Sequence, residues 1–418
     1  MKKHIFTLCV FFLTSYSYSL FAQHPTCNGS RYVSEVFASA NVTTSVQFGS
    51  NTTIGGTPQN LMMDIYEPAG DVATQRPVIV LAFGGGFVGG MREDMEDFCR
   101  FYAKRGFVAV TIDYRLFDLQ TVPSSTQLVD VVVKAMSDMK AAIRFLREDA
   151  ATTNIYKIDP NMIFVGGISA GGVLSSHVAY IDPTDQLTSA LTTAINANGG
   201  WEGNSSTNTQ YSSSVQGVLN FSGALLSASY ISTGEAPLFS AHDDGDAIVP
   251  YNGGQGMVQG MPIIYVEGSG LMHPRATTIN IPNFLITIPN STGHVSFFYG
   301  NNTATWQDTV RNTSAKFLHD NVICAATTNV KTVQKTIIQA DVYPNPSSAN
   351  MTINLHELPS NYSVTVYDQL GKVVYRDYNI ASNQYQLLQS NFASGSYFLN
   401  IQFNDPTIAP IGTKVIFH

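Results

Sequence analysis

Charge is scarce in this chain. Of 418 residues only 12% are Asp, Glu, Lys or Arg, and the balance is acidic, with a net charge of −8. No Lys/Arg cluster follows Lys2 and Lys3. The concentrated basic face that phosphate binding demands is missing, which argues against nucleic acid as a partner. Long apolar runs are missing as well. No stretch reaches the ~20 residues that a membrane-spanning helix needs, so no transmembrane segment is expected. Cysteine is rare, with four in all, and the spacings suggest no metal site. Tryptophan is rarer still, and both examples, Trp201 and Trp306, lie ahead of residue 341. Internal repeats are absent.

What is present begins with "MKKHIFTLCVFFLTSYSYSLFAQ". Lys2 and Lys3 precede a short apolar stretch, and Ala22 closes a cleavage site, so residues 1–22 read as a secretory signal peptide. Cys9 leaves with it. Export places the remaining thiols in an oxidising setting. Cys27 and Cys324 fall near the two ends of the main domain and are the pair expected to bridge, leaving Cys99 in a helical stretch as a small buried side chain.

Hydrophobic residues make up 44% of the chain, enough for a sizeable core. "LMMDIY" (61–66) alternates as an edge strand should. "RPVIVLAF" (76–83) and "GFVAVTIDYR" (106–115) are β-branched runs of the kind buried on both faces of a sheet. "NMIFVGG" (161–167), "VQGVLNFSG" (215–223), "APLFSAH" (236–242) and "NFLITIP" (283–289) supply further strands. Helical patterns cover about 93–105, 129–148 and 306–321, and another opens after Ser169. Strands alternating with helices predict an α/β domain with a mostly parallel sheet and helices on both faces, over 23–324. Residues 325–340 read as a linker. From 341 to 418 short alternating strands separated by turns predict a small all-β sandwich.

The chemistry concentrates at "GGISAGG". Gly167-Ile168-Ser169-Ala170-Gly171 fits G-x-S-x-G between a strand and a helix, the context in which the turn presents a nucleophilic serine. A serine hydroxyl needs a base to take its proton. His294, after "NFLITIP", fills that slot. The acid comes from "HDDGDAIVP", where Asp246 is favoured over Asp243 and Asp244; a calcium loop is the rival reading of this cluster, but no Glu closes it at suitable spacing. His242 ends a strand and is expected as a buried, hydrogen-bonded histidine. "LAFGGGFVGG" (81–90) supplies a glycine-rich loop without the G-K-[ST] ending of a phosphate-binding loop. Gly85 and Gly86, with the N–H of Ala170, are the expected oxyanion donors.

Taken together, "LMMDIYEPAGD", "RPVIVLAFGGGFVGG", "FCRFYAKRGFVAVTIDYRL" and "VGGISAGGV" resemble the α/β-hydrolase superfamily, in particular secreted bacterial carboxylesterases and lipases with an H-G-G-G-type oxyanion loop. Phe83 stands where that family usually carries His. "VYPNPSSANMTI", "VYDQLGKVVY", "SGSYFLNI" and "KVIFH" resemble the C-terminal sorting domain of Bacteroidetes proteins exported by the type-nine secretion system. The second resemblance implies that residues 341–418 engage the secretion machinery, and that the chain passes through the periplasm to be released or attached at the cell surface. A carbohydrate-binding sandwich is the alternative.

These readings converge on a serine hydrolase of carboxylic esters working through an acyl-enzyme, with no cofactor and no metal. Ser169 attacks, His294 moves the proton and Asp246 orients the imidazole. Phe87 and Trp201 are expected to line the substrate pocket, Phe297, Phe298 and "SGLMHPRA" to add apolar surface, and the insertion 182–214 to overlie the site. The substrate is a small or polymeric ester, hydrophobic or aromatic, synthetic polyesters included. The alternatives are a carbohydrate-directed esterase (feruloyl or acetyl xylan), a serine peptidase, and a non-catalytic binding module on the same fold.

Overall fold

The computed structural model describes residues 24, 26, 27, 29–325, 338–358, 360–369, 371–405, 408 and 410–418. The expected signal peptide and most of the expected linker lie outside these residues. The chain divides into two compact units, Met1–Thr327 and Thr328–His418.

The first unit is built on an eight-stranded sheet. Its strands are β1 (Ala40–Thr52), β2 (Pro58–Pro68), β3 (Arg76–Ala82), β4 (Val108–Ile112), β5 (Ile158–Ile168), β6 (Val218–Phe221), β8 (Leu238–Asp243) and β11 (Asn283–Ile288), in the spatial order β1-β2-β4-β3-β5-β6-β8-β11. β1 and β2 are antiparallel to their neighbours and the rest run parallel. β3 is apolar after its first residue and buried along its whole length, as a central strand covered on both faces must be. Helices α1 (Glu96–Ala103), α2 (Ser125–Ala151), α3 (Ala170–Tyr180), α4 (Ser189–Ala197), α5 (Ser269–Thr278), α6 (Ser296–Tyr299) and α7 (Thr303–Leu318) complete the unit. Cys27 and Cys324 form a disulfide, with Cα atoms 5.8 Å apart, and Cys99 is a buried free thiol.

Two features depart from the expectation. "LMMDIY" is not at the edge, because β1 pairs outside it. β1 is polar and largely exposed, so it has no apolar run to announce it. The segment 253–268, rich in glycine, forms a hairpin of β9 (Gly253–Val258) and β10 (Met261–Gly268), which pairs with the short β7 (Ala224–Leu225) as a separate three-stranded sheet. Its two-residue turn, Gln259-Gly260, has positive φ at both positions, the hairpin geometry that matches strand twist.

Glu235 is among the carboxyls of this unit held out of their ordinary range. It sits half-buried in the loop before β8. Burial raises its pKa to about 7, Asp182 and Asp185 push the same way, and the Ser232 N–H bond pulls against them. A pKa raised on folding means that stability is lost as pH climbs from the ordinary glutamate value of ~4.3 through about 7. Glu235→Gln keeps an acceptor for Ser232. It should stabilise the unit by ~1–2 kcal/mol at pH 8, after discounting for partial exposure, and by almost nothing at pH 4. Tryptophan fluorescence in urea measures this, since Trp201 and Trp306 both lie in the first unit.

The second unit is all β. One antiparallel sheet holds β12 (Ala340–Tyr343), β13 (Met351–Leu355) and β16 (Gln384–Leu387). The other holds β15 (Val373–Ile380), β14 (Tyr362–Tyr367), β17 (Gly395–Phe403) and β18 (Ile411–Phe417). Alternating residues from both sheets, among them Met351, Ile353, Val364, Val366, Leu399 and Val415, share one core.

Candidate active site

Ser169 lies between the end of β5 and the start of α3. Its backbone is strained, with φ 54° and ψ −116°, and it is 8% exposed. The turn is possible only with small neighbours. A Cβ on Gly171 would come within 2.0 Å of the Ala82 carbonyl oxygen, and one on Gly167 within 2.4 Å of Gly171. The tight turn thus packs the serine against the end of β3.

His294 Nε2 lies 2.7 Å from Ser169 Oγ, and His294 Nδ1 lies 2.7 Å from Asp246 Oδ2. This pattern fits an imidazole that donates from Nδ1 and accepts the serine proton at Nε2. The Asp246 side chain has no exposure, while that of His294 is 20% exposed. Burial alone would raise the Asp246 pKa. Hydrogen bonds from His242 and His294 outweigh it and hold the carboxyl at about 2. Its other oxygen accepts the N–H groups of Ile248 and Val249, which fixes its orientation.

The two rival acids have other partners. Asp244 accepts the N–H groups of Asn290 and Ser291. Asp243 accepts the N–H and the hydroxyl of Ser296. The cluster therefore grips the His294 loop at its start, its middle and its end. Its carboxylates face three separate partners, where a calcium loop would turn them to one point. His242 is buried as expected, with Nε2 2.9 Å from the Val249 carbonyl oxygen and Nδ1 2.9 Å from Ser269 Oγ.

The glycine-rich loop after β3 passes beside the serine. Gly85 has φ +119°, and a Cβ there would meet the Gly89 carbonyl oxygen at 2.2 Å, so the loop folds back on itself only with glycine. Ala170 begins α3, and first-turn N–H groups have no partner within their own helix. Gly85, Gly86, Ala170 and Ser169 line one cavity. Phe83, where the resembling family carries His, is buried and stacks on Tyr114 at 4.3 Å. The Tyr114 hydroxyl donates to the Phe83 carbonyl oxygen at 2.8 Å, and its ring meets Phe87 edge-on. Tyr114 braces the loop from below. The sequence reading passed over it because a tyrosine at a strand end carries no motif.

The cavity beside Ser169 is about 740 Å³. Phe87 lines it, as expected. Trp201 does not: it lines a separate small recess together with Val133, Met136 and Lys140 of α2, with its carbonyl accepting from Lys140 Nζ. The neighbouring residues of the 200–214 stretch are tied to α2 as well. Ser205 bonds Ser137, and Arg144 bonds the Glu202 and Ser206 side chains. Of the insertion expected over the site, Leu191 of α4 reaches the cavity. Phe297 and Phe298 are likewise core residues, Phe298 packed with Phe98 and Phe221 and Phe297 against Phe298, while Tyr299 lines the cavity. The main cover is the unforeseen hairpin, through Met257, Val258, Ile264 and Val266.

Comparisons with known proteins bear on the two units of the chain. Residues 63–226 match the BD-FAE family, and residues 341–415 match the secretion system C-terminal sorting domain. No curated protein matches significantly. Among solved structures, a thermophilic esterase from Thermogutta terrifontis superposes with a TM-score of 0.51 at 21% identity, over 69% of this chain and 95% of that one. Thermogutta terrifontis esterase 2 phosphoramylated by tabun gives 0.50 at 20% identity, over 69% and 97%. The same esterase phosphorylated by paraoxon gives equal values. The sorting domain marks the chain for secretion or cell-surface attachment through the type-nine route, and no helix among the described residues is long and apolar enough to cross a membrane.

Proposed function

Because the chain joins an esterase-like α/β-hydrolase unit to a secretion sorting domain, we propose that it is an exported serine hydrolase of hydrophobic carboxylic esters, acting through an acyl-enzyme. The observation that carries this reading is the relay Ser169 Oγ, His294 Nε2, His294 Nδ1, Asp246 Oδ2, with both links at 2.7 Å. Ser169 Oγ attacks the acyl carbon as His294 takes its proton. The oxyanion is met by the N–H groups of Gly85, Gly86 and Ala170. His294 then gives the proton to the departing alcohol, and a water activated by the same imidazole releases the acid.

In this reading residues 23–324 are the catalytic unit, 325–340 the linker and 341–418 the sorting domain. The organophosphate adducts of the Thermogutta esterase support a nucleophile of the same kind here. The aliphatic walls of the cavity favour a hydrophobic ester over a sugar, which would find few hydrogen-bond partners in it. The test is incubation of the full chain with a fluorophosphonate, followed by peptide mass mapping, beside nitrophenyl ester and anilide substrates. Labelling of Ser169 with turnover of esters and little turnover of anilides is expected. Preferred turnover of anilides would point to a peptidase, and absence of both label and turnover to a binding module.

A further inference from the structure

The chemistry of ester cleavage divides the lining of this one cavity into two arms, one for the alcohol and one for the acyl group. His294 must hand its proton to the leaving oxygen, so the alcohol lies beside His294. There the cavity wall includes Tyr299, which is 64% exposed, so this arm opens to solvent. The acyl group takes the other arm. That arm runs along α3, where Ala170, Val173 and His177 follow one another at i, i+3 and i+7 on one face. His177 stands eight residues beyond Ser169. At ~1.5 Å rise per residue the lined path is ~12 Å long. That length holds roughly eight to ten carbons at ~1.3 Å per extended C–C bond.

The walls of this arm are aliphatic: Leu128, Val129 and Val132 of α2, Val173 of α3, and Leu226. Its one polar side chain is already engaged. His177 Nδ1 donates to the Val173 carbonyl oxygen at 2.8 Å, and Nε2 accepts the Leu226 N–H at 3.3 Å. Burial lowers its pKa to about 4, so the ring stays neutral. A phenolic or hydroxylated acyl group would lose its hydrogen bonds to water here and regain none. Leu191, buried on α4, lines the same cavity. α4 is set by its cap, where the Thr188 hydroxyl accepts from Leu191 N.

We propose that the acyl chain of the substrate lies along α3 in an aliphatic tunnel closed by Leu191, so that the preferred substrates are esters of medium-length saturated acids. This rests on the ester-hydrolase reading above. Leu191 is then the residue that sets chain length, acting by bulk alone.

The experiment compares kcat/KM for 4-nitrophenyl butyrate and decanoate, with methyl ferulate as a third substrate, in the full chain and in Leu191→Trp and Leu191→Ala. The readout is the decanoate-to-butyrate ratio, in which any loss of folded enzyme cancels. The wild type should prefer decanoate to butyrate and turn over ferulate poorly. Leu191→Trp should lower the ratio about tenfold or more, and Leu191→Ala should hold or raise it toward longer chains. Butyrate turnover marks the ester-hydrolase reading as sound. On that background, a ratio unmoved by both substitutions, or a wild-type preference for ferulate, overturns the tunnel. A wild type inert toward every ester overturns both.

Discussion

Replacing Ser169 by alanine should lower kcat/KM toward a nitrophenyl ester by ~10⁴-fold or more, with the fold intact. The hydroxyl is small and the alanine Cβ fits the same strained turn, so the loss is chemical. In the proposed mechanism, what survives in the variant is binding and the N–H groups of Gly85, Gly86 and Ala170, which would polarise the ester carbonyl for attack by water. Asp246→Asn tests the next link. The carboxylate accepts His294 Nδ1–H and the N–H groups of Ile248 and Val249. An amide there offers His294 either an N–H or a weaker acceptor. The imidazole can then settle in the tautomer that carries its proton toward Ser169, and the rate should fall by a comparable factor. Asp246 itself sets no acid limit in ordinary buffers. Its pKa of about 2 keeps it ionised wherever the protein is assayed. Single-turnover kinetics on both variants, with circular dichroism to show the fold, measure the effect. A Ser169→Ala protein as active as wild type would reduce the serine to a turn residue.

The elbow was legible because two independent signals overlap there. The apolar run of β5 ends where G-x-S-x-G begins, and both glycines are forced by contacts under 2.5 Å. The order of serine, acid and histidine was legible for the same reason, since each follows a strand with a clear apolar core. Other parts left no such trace. β1 pairs along an exposed edge with polar side chains, so periodicity had nothing to detect. The β9–β10 hairpin hid behind glycines that read as breakers, although Val258-Gln259-Gly260-Met261 carries a two-residue turn between apolar flanks. The start of α2 was placed four residues late because its signal is a cap. The Ser124 hydroxyl meets Gln127 N, and the Gln127 side chain meets Ser124 N. Trp201 failed differently. A lone aromatic in a polar loop announces that it will be covered, without saying by which surface, and here the flank of α2 claimed it.

The largest effect on stability should come from a pair that periodicity also missed. Arg115 follows β4, Asp138 lies mid-helix in α2, and they are 1% and 0% exposed. The guanidinium grips the carboxylate through Nε and a terminal nitrogen, at 3.0 and 2.8 Å. Its remaining N–H groups reach the Thr52 and Lys134 carbonyl oxygens and Ser205 Oγ. One side chain thus ties the end of β1, α2 and the 200–214 stretch together. Arg115→Met fills similar volume but strips Asp138 of its countercharge, leaving it the Ser205 hydroxyl and the backbone N–H of residue 115. Burial already pushes that carboxyl up, against the pull of Arg115. Without the arginine, Asp138 must either stay charged in the core or take a proton. The expected cost is ~3–5 kcal/mol at pH 8. It should shrink as pH falls, because a carboxyl with a pKa raised on folding destabilises more the higher the pH. Removing the second charge discriminates between a lost attraction and a stranded ion. Arg115→Met with Asp138→Asn should recover part of the loss. Recovery stops short of wild type, because the Thr52 and Lys134 carbonyls and Ser205 have lost their donor. A double-mutant cycle in urea, followed by the two tryptophans of this unit, measures the coupling. A double variant no more stable than Arg115→Met would mean that the network's hydrogen bonds to Thr52, Lys134 and Ser205, not the pairing of charges, hold α2 to the edge of the sheet.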